Sequence, residues 1–168
     1  MAMAASLGTG FLKSRAELAT PDIQFHIQPF SADNPAEGSH NFSAFTASVL
    51  QLRPESRGRI KLVSRSAFDY PAIYPNYLAT KTDCNTLVAG IKIARHICKA
   101  EPLRSLVTEE YSPGSKIGLD DDEAILEWAR LTATTIYHPS GTCKMGIDKM
   151  AVVDERLRVH GIVNLRVA

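Results

Sequence analysis

The densest concentration of residues able to do chemistry is Tyr137-His138-Pro139-Ser140-Gly141-Thr142-Cys143-Lys144-Met145-Gly146, near the end of a 168-residue chain. Imidazole is the side chain best suited to exchange a proton near neutrality, and Pro139 and Gly141 can present His138 rigidly on an irregular turn. Cys143 lies on the same turn, so residue types alone also allow a cysteine nucleophile with His138 as its base. That reading lacks any nucleophile elbow of the Gly-x-Ser-x-Gly kind or its cysteine analogue. A lone histidine before a proline also serves as ordinary loop structure. The other histidines offer less. His26, His40 and His96 have no companions at metal-ligand spacing, and a zinc site from His138, Cys143 and His160 would follow no recognised pattern. No metal is therefore expected. His160 reads as a structural surface histidine and Asp154 as the fixer of a turn. Asp120-Asp121-Asp122-Glu123 reads as a helix start, because it lacks the alternating ligands and glycine of a calcium loop.

Composition excludes several classes of function. Nineteen basic residues against eighteen acidic ones leave a formal charge of +1, which offers no field for nucleic acid. Hydrophobic residues at 45% and charged residues at 22% are globular values and exclude wholesale disorder. No apolar run reaches the roughly 20 residues that a transmembrane helix needs. The first basic residue is Lys13, a poor match to a secretory leader. Three cysteines, Cys84, Cys98 and Cys143, argue against a disulfide framework and for a reducing, cytoplasmic setting.

The elements that must position the His138 run follow from periodicity. Phe11–Leu18 has the character of a short helix stopped before Pro21. Ile23, Phe25 and Ile27 alternate with polar residues, a strand closed by Pro29 with His26 on its polar face. Residues 31–41 are loop. A second strand is expected over 42–52 and a third over 59–63, joined through Arg53-Pro54-Glu55-Ser56-Arg57-Gly58 as an antiparallel hairpin. Tyr70–Leu78 is extended around Pro71 and Pro75. A helix capped by Asp83 buries Leu87, Val88, Ile91, Ala94 and Cys98 on one face. A second helix begins at Asp120, with Glu123 completing a capping box. It buries Ile125, Leu126, Ala129 and Ala133, with Trp128 extending the stripe, and stops near residue 133. The class is α+β: an antiparallel sheet with flanking helices.

These segments also carry a resemblance. His-Pro-x-Gly-Thr-Cys-x-Met-Gly, followed by Ala151-Val152-Val153-Asp154 and Arg156-Leu157-Arg158-Val159-His160-Gly161, resembles the glucose–methanol–choline (GMC) oxidoreductases, in particular their choline dehydrogenase-like members. These are flavin enzymes that oxidise alcohols. Leu165-Arg166-Val167-Ala168 is similar to the start of that family's Leu-Arg-Val-Ala-Asp-Ala-Ser segment. Arg53–Gly58 matches its Arg-Pro-x-Ser-Arg-Gly turn, and Ile73-Tyr74-Pro75-Asn76-Tyr77-Leu78 its Ile-x-Pro-Asn-Tyr-Leu stretch. Pro21-Asp22-Ile23-Gln24-Phe25 is similar to the strand before them. The matches run in family order from about residue 21 to the end. Ser64–Pro71 departs from the family's Ser-x-Asp-Pro turn, so substrate contacts are not carried over there.

The resemblance implies that His138 takes the alcohol's hydroxyl proton while hydride leaves carbon for the flavin of FAD. It implies that Tyr137, Pro139, Gly141 and Thr142 shape the turn beside that flavin, and it gives Cys143 only a packing role. The family's Gly-x-Gly-x-x-Gly loop has no counterpart in this sequence. Its second catalytic His or Asn would fall beyond Ala168. Residues 1–150 are thus expected to be a substrate-binding, catalytic portion and 151–168 the start of a return into an FAD-binding domain, cut at both ends and inactive alone. Its partners would be a small alcohol and that FAD-binding portion. Val152, Val153, Leu157, Val159, Ile162, Val163, Leu165 and Val167 would then lack a partner surface. A cysteine hydrolase and a non-catalytic interaction module are the alternatives.

Overall fold

The computed structural model describes residues 6–34 and 37–168. Its elements in chain order are β1 (Gly8–Leu12), β2 (Ile23–Gln28), β3 (Thr46–Gln51), β4 (Arg59–Lys61), β5 (Ala72–Tyr74), α1 (Lys81–Lys99) and α2 (Asp122–Thr132), with a 3₁₀ turn at Leu103–Ser105. The α+β class is as the sequence leads one to expect. Contacts divide the chain into two units. The first takes the described residues up to Ser56 with Tyr77–Ala133, and the second takes Arg57–Asn76 with Thr134–Ala168.

In the first unit, β1, β2 and β3 form an antiparallel sheet in that order, with Gly10 opposite Phe25 and Phe25 opposite Val49. The alternation of β2 explains its place at the centre. Ile23 and Phe25 are buried, while His26 is half-buried on the other face between Thr9 and Ser48. Helix α1 packs on the sheet at Gly90. A Cβ there would lie 2.4 Å from Val49 Cγ1 and 3.3 Å from Ile23 Cδ1, so only glycine permits this approach. Val88 and Ile91 of α1 and Ile125 and Ala129 of α2 form the core, flanked by Val49, Leu87, Ile117, Leu126 and Trp128. Cys98 is half-buried, and Ala133 is exposed just beyond the end of α2, outside the expected stripe.

One carboxylate ties three segments of this unit together. Asp83 is 1% exposed. Its Oδ1 accepts from Gln51 Nε2 and the Glu55 amide, each at 2.9 Å, and its Oδ2 accepts from the Ser56 amide at 2.8 Å and from Ser56 Oγ. Ser56 Oγ in turn accepts from the Ala79 amide at 2.9 Å. Burial alone would raise the carboxyl pKa. The hydrogen bonds from Ser56 Oγ, the Glu55 and Ser56 amides and Gln51 outweigh it and lower the value to about 2. The helix cap is instead Thr80, whose Oγ1 accepts from the Asp83 amide at 3.2 Å. Asp83 is therefore not the cap expected from its position.

The same bonds explain why the expected hairpin does not form. Backbone groups at 55 and 56 are held by Asp83, so β3 pairs only with β2, while β4 pairs with β5. Other boundaries also shift. Phe11–Leu18 is not a helix: Gly8–Leu12 pairs with β2, and Asp22 accepts from the Ser14 amide at 2.7 Å and from Ser14 Oγ at 2.5 Å to close the turn. The second expected strand is shorter, beginning at Thr46, and β4 is exposed on both faces. The extended stretch through Pro75 ends at Asn76 and Leu78, whose φ angles are 57° and 55°. Helix α2 is capped by Asp121, which accepts from the Ala124 amide at 2.9 Å, one residue after the expected cap.

Between the helices the chain is held by Arg95, 7% exposed. It donates to both oxygens of Glu110 at 2.7 and 2.9 Å and to the Gly114 and Gly118 carbonyls at 3.3 and 3.4 Å. The loop after β2 closes on itself through Ser31 Oγ and His40 Nδ1, 2.8 Å apart, and the His40 ring stacks on Phe42 at 4.8 Å.

Replacing Asp83 by Asn is expected to destabilise the protein by roughly 2–4 kcal/mol, since hydrogen bonds to a buried charge are lost. A depressed carboxylate stabilises fully above its ordinary value of 3.8 and ceases to do so as pH falls through about 2. Chemical denaturation across that window should therefore show the penalty of Asp83→Asn shrinking as pH drops. A penalty that does not change with pH would contradict the assignment.

Candidate active site

The His138 run belongs to the second unit, and local chemistry accounts for its shape. Helix α2 ends where the Ala133 amide donates to Ala129 O at 2.7 Å. Thr134, Thr135 and Ile136 are β-branched and leave the helix. Tyr137 takes a left-handed conformation, φ 62°, with its amide donating to Thr135 Oγ1 at 2.9 Å and its ring exposed. His138 precedes a proline, which disfavours helical backbone there. His138, Pro139, Ser140, Gly141, Thr142, Cys143 and Lys144 are all exposed. Gly141 has φ 92°.

The downstream end of the run is held firmly. Lys144 O accepts from the Val152 and Val153 amides at 2.8 and 3.2 Å, and the Gly146 amide donates to Val153 O at 3.0 Å. Gly146 has φ 155°, and a Cβ there would meet Asp148 Oδ2 at 3.2 Å. Val153, 2% exposed, anchors this small ladder from below and bridges both Met145 and Val159. Lys144 Nζ pairs with Asp148 Oδ2 at 2.6 Å.

Asp154 fixes the next turn, as its place in the sequence suggests. Its Oδ1 accepts from the Arg156 and Arg158 amides at 2.9 Å each, and its Oδ2 accepts from Arg158 Nε at 2.7 Å. The Arg158 side chain beside it holds its carboxyl well below the usual range, at about 2, with the two amides adding to the effect. His160 Nε2 lies 2.9 Å from Gly146 O.

The structure brings Tyr137, His138, Pro139, Gly141 and Thr142 onto one exposed stretch. Cys143 shares it and is exposed in this chain, in a turn with Thr142. Among the described residues no hydrogen bond joins Cys143 to His138, so a thiol–imidazole pair is not assembled. His96 Nδ1 lies 2.9 Å from Lys92 O, a contact within its own helix. Among the described residues no group of three or more His, Cys, Asp or Glu side chains could hold a metal.

Two surface hollows in this unit are lined by Arg57–Arg59 with Ile73–Asn76, and by Asp154 with Arg158–Arg166; neither includes His138. The expected set of unpartnered aliphatics divides. Val153 is buried and Val152, Leu157 and Val159 are half-buried, held by the local ladder; Ile162, Val163, Leu165 and Val167 are exposed. Asp83 as a hub, Arg95 as a clamp and the His160 contact are absent from the sequence reading. Nothing in residue spacing marks them, for each partner lies at least 14 residues away.

A family model described as GMC oxidoreductase matches residues 54–168. The chain belongs to the GMC oxidoreductase family. It is 42% identical over 158 residues to the oxygen-dependent choline dehydrogenase of Proteus mirabilis (strain HI4320), covering 94% of this chain and 28% of that relative. It is 41% identical to an alcohol dehydrogenase [acceptor] of Pseudomonas putida, with the same coverages. Among solved structures, pyridoxine 4-oxidase from Mesorbium loti superposes with a TM-score of 0.78 at 25% identity, over 96% of this chain and 32% of that one. Formate oxidase of Aspergillus oryzae RIB40, studied for its FAD modification, superposes at 0.75 with 30% identity, over 90% and 27%. The chain thus spans under a third of the length of these relatives.

Ile162, Val163, Leu165 and Val167 together expose an apolar segment. Purified alone, the chain is expected to self-associate, because such a surface favours burial against another copy. Light scattering checks this. A monodisperse monomer with a cooperative thermal transition would contradict it.

Proposed function

We propose that this chain is the substrate-side, C-terminal portion of an FAD-dependent alcohol oxidoreductase, with His138 as its base. The observation that carries the reading is the family match over residues 54–168, which includes an exposed histidine on a loop anchored at its far end. In this reading residues 1–150 bind and orient the alcohol, and 151–168 begin the return into the FAD-binding portion. The names of the relatives favour a small alcohol such as choline.

The residues present fit one part of such a cofactor. Tyr137, Pro139, Gly141 and Thr142 are exposed together, and nothing lies within 4 Å of where a Cβ on Gly141 would stand. That leaves room for a flat ring beside the turn. No glycine-rich phosphate cradle occurs in this sequence, so the chain's share would be the ring edge alone. FAD, when bound, would accept the hydride from the alcohol carbon.

The chain's own chemistry would be the proton. The imidazole of His138 would take the hydroxyl proton as the C–H electron pair departs, leaving a carbonyl and an imidazolium. A neutral imidazole suits this, since it becomes cationic beside the oxygen that carries developing negative charge. Pro139 and the anchored Lys144–Gly146 segment would limit the swing of the ring. The exposed apolar residues near the end of the chain would lie against the FAD-binding portion. The chain alone would be inactive and colourless. No helix of the described residues is long and apolar enough to cross a membrane. A cytoplasmic setting belongs to the same reading, supported by three free cysteines.

In the complete flavoenzyme, His138→Ala should slow substrate-driven flavin reduction by about 10²–10⁴-fold, the usual worth of positioned acid–base catalysis, with flavin content little changed. Stopped-flow absorbance follows it. Reduction within a few-fold of wild type would overturn the reading.

A further inference from the structure

We propose that His160 is a positioning residue for the His138 loop, acting through the carbonyl of Gly146. The proposal rests on the reading of His138 as the base. Residues 138–143 make no hydrogen bond among the described residues, so the loop takes its orientation from its ends. Upstream, a single local bond joins the Tyr137 amide to Thr135. Downstream, Lys144–Gly146 is held by the backbone of Val152 and Val153 along one side. The peptide that leaves Gly146 is a weak point, because glycine is permissive and its φ of 155° suits few other residues.

The His160 ring closes that weak point. Its Nε2 lies 2.9 Å from Gly146 O, and because a carbonyl only accepts, this nitrogen carries the proton and donates. The ring is itself fixed at its base. The His160 amide donates to Val152 O at 3.0 Å, and the neighbouring Val159 amide donates to Leu165 O at 3.0 Å. Asp154 holds the turn just before it. Gly146 is thereby gripped from two sides: its amide by Val153 and its carbonyl by His160. An imidazole reaches across with two rotatable bonds, giving a stiff strut where a lysine would give a loose one.

Two variants of the complete flavoenzyme test this. His160→Phe keeps the ring's bulk and removes the donor; His160→Gln keeps an N–H donor. Hydrogen exchange followed by mass spectrometry of overlapping peptides should show the Gly146 amide, the one amide of 138–146 that donates a hydrogen bond among the described residues, exchanging about fivefold faster or more in His160→Phe, the worth of one hydrogen bond of about 1 kcal/mol. Flavin reduction should slow by about 10–100-fold, as expected for a misplaced catalytic group, with KM changed far less. His160→Gln should recover most of both. Added to His138→Ala, His160→Phe should cost little more, because the base it positions is already gone.

Exchange and reduction both within twofold of wild type would overturn the proposal. So would a loosened loop with an unchanged reduction rate, or an undiminished cost of His160→Phe in the His138→Ala background. If His138→Ala alone leaves reduction intact, the reading of the base fails, and the exchange data still report separately on the strut.

Discussion

A buried carboxylate needs its donors brought to it, and in the first unit that requirement governs how the chain runs. Asp83 takes hydrogen bonds from the end of β3, from two successive amides of the turn after it and from the hydroxyl of Ser56, all from a side chain in the first turn of α1. Desolvation would otherwise push the carboxyl toward its neutral form. The donors reverse that, so the ionised group becomes a rivet between strand, turn and helix. Two turns further along α1, Gly90 lets the same helix approach Val49 and Ile23 of the sheet closely.

The second unit is organised by different means. It has one well-buried aliphatic, Val153, the short two-stranded β4–β5 sheet, and a ladder of single bridges around Val153. Its order comes from turns stapled by side chains: Asp148 onto Lys144, Asp154 onto Arg158, and His160 onto Gly146. Little apolar surface is buried, and four aliphatics near the end of the chain remain exposed. That pattern is what the proposed reading requires, in which further packing partners and the cofactor would come from outside this chain.

What was legible in the sequence was local. The alternation of Ile23, Phe25 and Ile27 gave β2 its place, the spacing of Val88 and Ile91 gave α1 its buried face, and the His-Pro-x-Gly-Thr-Cys run marked the candidate site. Three errors share one cause. The expectations of a hairpin between β3 and β4, a helix over 11–18 and a cap at Asp83 each rest on neighbours in the chain. Each was decided by a carboxylate, Asp83 or Asp22, bonded to groups at least eight residues away. The His160 strut escapes notice likewise, because a histidine beside a glycine in a turn looks the same whether or not its ring is engaged.

In the proposed enzyme His138 would face both alcohol and flavin. A crystal structure of the complete flavoenzyme with an alcohol analogue bound tests it most directly. The expected result is an imidazole nitrogen of His138 within hydrogen-bond reach of the analogue's oxygen, about 2.6–3.2 Å, with Tyr137, Pro139, Gly141 and Thr142 along the flavin ring. A His138 ring turned away from that oxygen, with another group of the enzyme in its place, would contradict the account.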